Sequence, residues 1–513
     1  MRIVIDMQGV QTESRYRGIG RYTLSFARAV VRNRGEHEVF LALSGLFPET
    51  IEPIRAAFDG LLPQENIRVW LAPGPVKELE SGNECRREVA ELVREAFLAS
   101  LQPDVIHISS LFEGYADDAV TSIKKIDRVS LISVSLYDLI PLLNPDQYLK
   151  PNPSYAAYYE RKVHHLKQAD SYLAISEHAR QESLQCLGVD GNCITNISTA
   201  IEPQFEPVLQ GEEGKNALFH KLGLNRPFVL YTGGVDARKN LPRLLEAWST
   251  LPSSLREAHQ LLFAGRMPED RAVEFRRIAK AQGLAEDELV IGGYVSDVEL
   301  VQLYNLCKLF VFPSWHEGFG LPALEAMACG APVIGANTTS LPEVIGLEEA
   351  LFCPFDVAAM AKKMAEALQD KGFRSRLRAH AMQQARNFSW DATAKRAVTA
   401  WEALLSSRTA QRLLTLPPKL KPKLAFVSPL PPERTGIADY SAELLPALAE
   451  HYDIDVVVDR EFSTPTSVID GHRAVSPDWL LIHGHEYDRV LYQFGNSPYH
   501  AFMLPLLESL PGV

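Results

Sequence analysis

The sequence predicts an α/β protein with parallel sheets, and three observations carry that expectation. Apolar strand-like runs alternate with amphipathic helical stretches over almost the whole chain, the pattern of repeated strand–helix units. Several of these strands run into a glycine-bearing turn and then a helix. The opening of the chain also recurs in outline from residue 423. At 513 residues the chain is long enough for several domains.

The first set of strands includes "RIVID" (2–6), "DVIHI" (104–108), "VSLISVS" (129–135) and "SYLAIS" (171–176). The second includes "PFVLYTG" (227–233), "HQLLFAG" (259–265), "ELVIGG" (288–293), "KLFVFP" (308–313) and "APVIGA" (331–336). Between the sets, "IEPQFEPVLQGEEGKN" (201–216) is rich in Pro, Gly and Glu and lacks periodicity, so it reads as a hinge. This places one domain over 1–205 and another over 206–387. A second break, "SSRTAQRLLTLPPKLKPK" (406–423), carries prolines and bases, and its centre, 409–422, reads as a linker. Beyond it, "KLAFVSPLPPERTGIADYSAELLPAL" repeats the strand, polar loop, Gly-Ile step, Tyr and helix of the chain's start. Gly436, Ile437 and Tyr440 align with Gly18, Ile19 and Tyr22. A repeat at this period marks a duplicated module, and 423–513 reads as the start of a second, partial copy. The reading favours a piece of a longer protein over a lone half-module.

Composition excludes several classes. A net charge of −12 argues against a nucleic-acid protein held by bulk electrostatics. The cysteines 85, 186, 193, 307, 329 and 353 include no CxxC pair, so neither zinc nor redox chemistry is signalled. No apolar run approaches the roughly 20 residues that cross a bilayer. "MRIVIDMQGV" reads as a first strand rather than a secretory signal, and cytoplasmic residence is expected. The basic linker reads as a solvated segment, with peripheral membrane contact as its alternative.

The richest stretch is "SWHEGFGLPALEAMACGAPVIG" (314–335). A buried strand leads to "WHEGFG". Pro322 suits a first helical turn, and Gly330 ends the short helix. The free N–H groups of such a helix start favour anions, and Gly318 and Gly320 let the backbone approach a ligand. Glu317 then lies at the mouth of the strand, where open α/β sheets bind ligands, and Glu325 lies about one turn into the helix. Many such units bind nothing, and the acids repel an anion. If the ligand is a phosphate, the glutamates serve hydroxyls next to it.

A cationic partner stands upstream. "LYTGGVDARKNLPRLLEAW" (230–248) is again strand, Gly-Gly turn and helix, with Arg238 and Lys239 at the helix start, where dipole logic disfavours cations. A fixed guanidinium fork and an ammonium suit a diphosphate; a solvated surface pair is the alternative. "RYRGIGRYT" (15–23) follows the first strand in the usual phosphate-loop place. A lone Gly-x-Gly is weak evidence, and Arg15, Arg17 and Arg21 are open to a solvated role. His107, Ser109, Tyr137 and Asp138 end strands of the first domain, where they face a cleft or serve the fold.

The 314–335 stretch with its EX7E spacing, "GGVDARKN" (233–240), "TSLPEVIG" (339–346) and the closing "FSWDATAKRAVTAWEALL" (388–405) resemble the retaining GT-B glycosyltransferases of family GT4. The resemblance covers about 1–408. The duplicated layout and "YQFGNSPYH" resemble bacterial mannosyltransferases that build O-antigen polymannose.

That resemblance implies a GT-B fold, with two Rossmann-like domains facing across a cleft, and a third partial Rossmann-like domain. The final helix, 388–408, returns to the N-terminal, acceptor-side domain. It implies transfer of α-mannose from GDP-mannose to a lipid-linked oligosaccharide or polysaccharide, without metal or other cofactor, at or near the inner face of the cytoplasmic membrane. Arg238 and Lys239 take the leaving diphosphate, Glu317 the donor sugar and Glu325 the ribose. Gly18 and Gly20 lie against the diphosphate, and Gly234 joins the donor-binding set. The segment from Gly293 to Val295 borders the base. The Phe319–Gly320 backbone meets sugar and phosphate, and His316, Gly318 and Leu321 complete the donor-binding turn. Ser109, Tyr137 and Asp138 stand on the acceptor side, where this chain departs from the common pattern: Ser109 replaces a frequent His, and Tyr137-Asp138-Leu139 replaces "HDL". The second copy has Gly436-Ile437-Ala438 for the Gly-x-Gly and no EX7E block.

Other readings stay open. A UDP- or dTDP-sugar donor fits the same motifs. A non-catalytic scaffold predicts loss of the bases or of EX7E, and both are present. A nicotinamide oxidoreductase requires GxGxxG after the first strand, where this chain offers only Gly18 and Gly20.

Overall fold

The computed structural model describes residues 1–16, 18–209, 211–415, 421–459, 468–469 and 471–512, with backbone only at 409–415 and 468–469. The chain divides into two compact units, Met1–Ser407 and Arg408–Val513.

The first unit holds two parallel sheets. One contains β1 (Arg2–Asp6), β2 (Glu38–Ser44), β3 (Ile67–Trp70), β4 (Val105–Ile108), β5 (Leu131–Leu136), β6 (Ser171–Ala174) and β7 (Ile194–Asn196), in the order 3-2-1-4-5-6-7. The other contains β8 (Phe228–Thr232), β9 (Gln260–Ala264), β10 (Leu289–Gly293), β11 (Leu309–Phe312), β12 (Val333–Ala336) and β13 (Leu351–Phe352), in the order 10-9-8-11-12-13. Ile3, Val4 and Ile5 are fully buried, as are Leu309 to Phe312, because helices cover both faces of a parallel sheet. In each sheet the strand order reverses beside the first strand, between β1 and β4 and between β8 and β11. Such switch points open a crevice at the carboxyl ends of the strands.

Helices follow several of the strands whose ends open onto this crevice. α1 (Gly18–Arg32) follows β1, α2 (Glu177–Leu187) follows β6, α3 (Leu241–Ser249) follows β8 and α4 (Leu321–Ala328) follows β11. The long α5 (Trp390–Thr415) returns to the first sheet. There Trp401 is fully buried and donates its indole N–H to Ser133 Oγ at 2.8 Å. Asp391 accepts from Arg32 and Asn33, and Glu402 meets His37 Nε2 at 2.8 Å.

Two expected boundaries shift. α5 continues to Thr415, so helix replaces linker over 409–415. Ala, Gln, Arg and Leu there are strong helix formers, and the prolines at 417 and 418 come only later. The expected hinge 201–216 gives way to a helix at Glu212, where Glu212 and Glu213 suit the positive end of the dipole.

His107 is part of the core rather than of the cleft. It is fully buried, its two ring nitrogens lie 3.1 Å from Ser133 Oγ and Ser135 Oγ, and Phe26 and Trp401 pack against the ring.

The strands of the second unit are β14 (Lys423–Val427), β15 (Asp453–Val457), β16 (Val468–Ile469), β17 (His472–Val475) and β18 (Arg489–Tyr492), in the order 16-17-15-14-18. The run 17-15-14-18 reproduces the 3-2-1-4 half of the first sheet, and the helix Gly436–Ala449 stands where α1 does. Tyr22 is 2% exposed, packed edge-on to Tyr137 and Trp390, whereas its counterpart Tyr440 is 56% exposed.

Burial pushes the His107 imidazole down to about 3, so it stays neutral in the fold and gains its proton on unfolding, near pH 6.5. Its contribution to stability is complete above that pH and is lost as the pH falls toward 3. His107→Gln is expected to melt below wild type at neutral pH, with a gap that narrows at about pH 4; a constant gap would contradict the buried neutral imidazole.

Candidate active site

The second sheet presents two loops at its switch point. After β8, Gly233 has φ +142° and passes Gly265 so closely that a Cβ on Gly265 would lie 2.4 Å from the Gly233 carbonyl oxygen. Gly234 follows with open space where its Cβ would be, and its carbonyl accepts from Tyr231 Oη at 2.7 Å. Asp236 accepts from the Arg238 amide. Asn240, at φ +62°, pins the loop by donating its side-chain amide to the carbonyls of Pro313 (3.1 Å) and Pro354 (2.7 Å). The Arg238 carbonyl then accepts from the Trp315 amide of the loop after β11.

Those connections bring three charges together. Lys239 Nζ lies 2.5 Å from Glu317 Oε1, and Arg238 Nη1 lies 2.7 Å from Glu317 Oε2 and 2.9 Å from the His316 carbonyl. Glu317 is 7% exposed. Burial alone would raise its carboxyl, but Lys239 and Arg238 overcome that and hold it near 2. Burial likewise opposes the charge on Lys239, which sits lower than an ordinary lysine despite Glu317. The trio carries a net charge of about +1. The cations at the start of α3, awkward for a helix dipole, are thus matched by a carboxylate from the neighbouring turn. Glu317 is therefore not a free sugar ligand beside two free bases; the three form one unit that a ligand has to share.

Glu325, on α4, is also buried. Tyr304 donates to its Oε2 at 2.9 Å and shares a hydrogen bond with Thr232 at 2.8 Å. Burial raises this carboxyl, while Arg21 and Tyr304 pull the other way. Arg21 reaches across from α1, with Nη1 at 3.6 Å from Glu325 Oε1 and without a hydrogen bond of its own.

The first domain closes over these loops. A Cβ on Gly318 would lie 2.3 Å from the Tyr137 carbonyl oxygen and 3.1 Å from Asp138 Cβ, so glycine permits the contact. Ser176 Oγ donates to the Gly318 carbonyl at 2.7 Å, and Tyr148 Oη donates to Asp236 Oδ1 at 2.6 Å. Burial raises the Asp138 carboxyl, with Arg238 and the Ile140 amide opposing. Asp138 thus joins the electrostatics of the trio from the facing domain.

The remaining expected residues divide. Gly320 has φ +106° at the start of α4, Leu321 approaches Gly18, and Gly293, at φ +63°, has open space beside it. Val295 is half-buried next to exposed Tyr294. Phe319 turns its ring inward onto Phe388 and leaves only its backbone at the turn. Gly20 serves the turn before α1, since a Cβ there would lie 2.3 Å from Arg15 Cα. Ser109 is 1% exposed and donates to the Asp6 carbonyl, which removes it from the acceptor side, and Tyr137 spends its hydroxyl on the Ser109 carbonyl. Arg15 pairs with Glu49 at 2.9 Å. Arg17 lies outside the described residues.

Sequence reading missed Tyr148, Asp236, Tyr304 and Glu182, whose roles arise from contacts between distant segments. It also missed Glu113, which accepts from Thr12, Ser14 and Ser110 and is pushed up to about 7 by burial and then by Asp117. It ties the loop after β1 to the loop after β4. Among the described residues, one group has metal-ligand geometry: His178, Glu182 and His316.

Two facing Rossmann-like domains with a charged crevice between switch points define the GT-B class. The family model "Glycosyltransferase Family 4" matches residues 16–205, and "Glycosyl transferases group 1" matches 215–387. The chain is 39% identical over 409 residues to the Escherichia coli "Serotype-specific mannosyltransferase WbdA", covering 79% of this chain and 48% of that relative. It is 36% identical over 416 residues to the "D-inositol 3-phosphate glycosyltransferase" of Salinispora tropica, covering 76% of this chain and 82% of that relative. The solved structure of Anabaena HepE in complex with UDP and glucose aligns with a TM-score of 0.53 at 17% identity, over 81% of this chain and 100% of that one, a likeness of fold. The chain belongs to the family 4 glycosyltransferases. It spans about half the length of the mannosyltransferase relatives it matches.

Gly318→Ala is expected to hold the two domains apart at the turn. Misplacement of about 1 Å costs on the order of 100-fold in turnover, and small-angle scattering should show a larger radius of gyration. Wild-type turnover in this variant would contradict the close approach.

Proposed function

We propose that the chain transfers a hexosyl group, α-mannosyl from GDP-mannose, to a growing cell-surface polysaccharide of the O-antigen kind. The observation that carries the reading is the buried Arg238–Lys239–Glu317 unit beside the open Gly234 turn. The names of the relatives supply the sugar and the acceptor class.

In this reading the donor diphosphate lies along Gly234 and meets Arg238 and Lys239. The sugar hydroxyls meet Glu317, and the ribose meets Glu325. The bond from the anomeric carbon to the diphosphate breaks, the bond to the acceptor hydroxyl oxygen forms on the same face, and the acceptor proton passes to the departing diphosphate. Charge grows on the diphosphate as it leaves, and two fixed cations in a site of low dielectric stabilise it. No metal takes part in the step, because the cations supply the charge compensation. Asp138 approaches Arg238 from the facing domain and orients the acceptor hydroxyl.

The acceptor is a lipid-linked oligosaccharide or polysaccharide, and the reaction runs on the cytoplasmic side. Six free cysteines suit a reducing compartment. In this reading contact with the bilayer is peripheral; among the described residues no helix is long and apolar enough to cross a membrane.

Lys239→Ala is expected to lower kcat by about 10²- to 10³-fold, with circular dichroism and the melting transition checking that the fold persists. A folded variant with wild-type kcat would remove Lys239 from the step. Radiolabelled GDP-mannose, UDP- and dTDP-sugars offered with a synthetic mannoside should give product from GDP-mannose alone. Transfer from a UDP- or dTDP-sugar instead would replace the donor and keep the mechanism.

A further inference from the structure

We propose that His178, Glu182 and His316 form a binding site for a transition-metal dication, of the zinc, cobalt or nickel kind, that staples the two domains together. His178 and Glu182 stand four residues apart on α2, which places both on one helix face. His316 comes from the facing domain, in the turn that carries Glu317. The Nε2 atoms of His178 and His316 each lie 2.8 Å from the same oxygen, Glu182 Oε1. One ligand atom from each residue lies within 4.8 Å of the others.

Hydrogen bonding alone leaves two features of this group unexplained. Glu182 is 7% exposed, yet its Oε2 has no partner. Nε2 of buried His316, close as it is to Oε1, has no N–H aligned on an acceptor. A buried carboxylate oxygen without a partner is costly. A cation among the three ligand atoms would take the free lone pairs after small outward shifts. Two imidazoles and a carboxylate are a three-ligand set for zinc-like ions, with a fourth position for water. The side chain of His178 is 30% exposed and gives the ion a way in. Ligation through Nε2 would leave His316 Nδ1 against the Asn144 amide nitrogen at 3.4 Å, which also donates to the Ile140 carbonyl at 3.0 Å; that amide would give up this bond if it turned to offer its oxygen as the outer support such ligands usually have.

The position gives the ion a consequence. The His316 carbonyl accepts from Arg238, and the next residue is Glu317. An ion held between α2 and this turn fixes the closed arrangement of the crevice, so product release should slow when it binds. The slowing rests on the transferase reading; binding of the ion does not.

The test uses the full chain stripped with a chelator. Titration with Zn²⁺ should show one tight site per chain and a rise in the melting midpoint. Co²⁺ should give visible d–d bands without the near-ultraviolet thiolate bands that cysteine ligation produces. His178→Ala and Glu182→Gln should each lower Zn²⁺ affinity by about 100-fold or more. His178→Ala should keep the metal-free transfer rate while losing the inhibition by Zn²⁺. The proposal is overturned if the chain binds no Zn²⁺ at micromolar concentration. It is equally overturned if both variants retain wild-type affinity, or if the Co²⁺ spectrum shows thiolate ligation. Zn²⁺ binding that is lost in both variants, in a chain that transfers no sugar, would sustain this site and sink the reading of function.

Discussion

The site depends on one constraint: a buried carboxylate held between two cations from another loop. Glu317 can stay ionised at 7% exposure only because Arg238 and Lys239 reach it. Breaking one side of such a group would leave a buried charge uncompensated, at a cost of about 3–5 kcal/mol. The loops after β8 and β11 are therefore locked to each other. Asn240 and the Trp315 amide add neutral hydrogen bonds to the same junction. The turn that emerges is held by several bonds at once, and in the proposed transfer such preorganised charges need no reorganisation during the reaction.

The second constraint is steric. Gly318 lets the Tyr137–Asp138 backbone come against the turn that carries Glu317, and Gly265 lets β9 pass Gly233. Around these two points the facing domain adds Tyr148, Ser176, Asp138, Arg21 and Glu182, each contacting or facing a group of the second sheet. The crevice is thus lined from both sides, and the charges on each side are arranged against those on the other. α5 ties its end of the second domain back to the first through Trp401 and Asp391.

Much of this was legible in the sequence. The strand–turn–helix units around Gly233–Asn240 and Trp315–Glu325 follow local rules of glycine, proline and capping, so their residues could be named in advance. The pairing of Arg238 and Lys239 with Glu317 was not, since it joins segments 78 and 79 residues apart. The strand-end residue Ser109 misled for a related reason, while His107 took the core role that the sequence left open beside the cleft. Periodicity says that a residue ends a strand, but not that Ser133, Ser135 and the Asp6 carbonyl wait to satisfy it in the core. Short strands such as β7 and β13 left too little pattern to see, and the extension of α5 to Thr415 was hidden by the basic, proline-bearing segment after it.

The central claim is that Arg238, Lys239 and Glu317 act as one unit that a nucleoside diphosphate shares. Calorimetric titration of GDP into wild type and into Arg238→Ala tests it most directly. The account predicts tight, salt-sensitive binding to wild type and a loss of about 1.5–3 kcal/mol, the worth of a charge-assisted contact, in the folded variant. Equal affinity of the two proteins for GDP would contradict it.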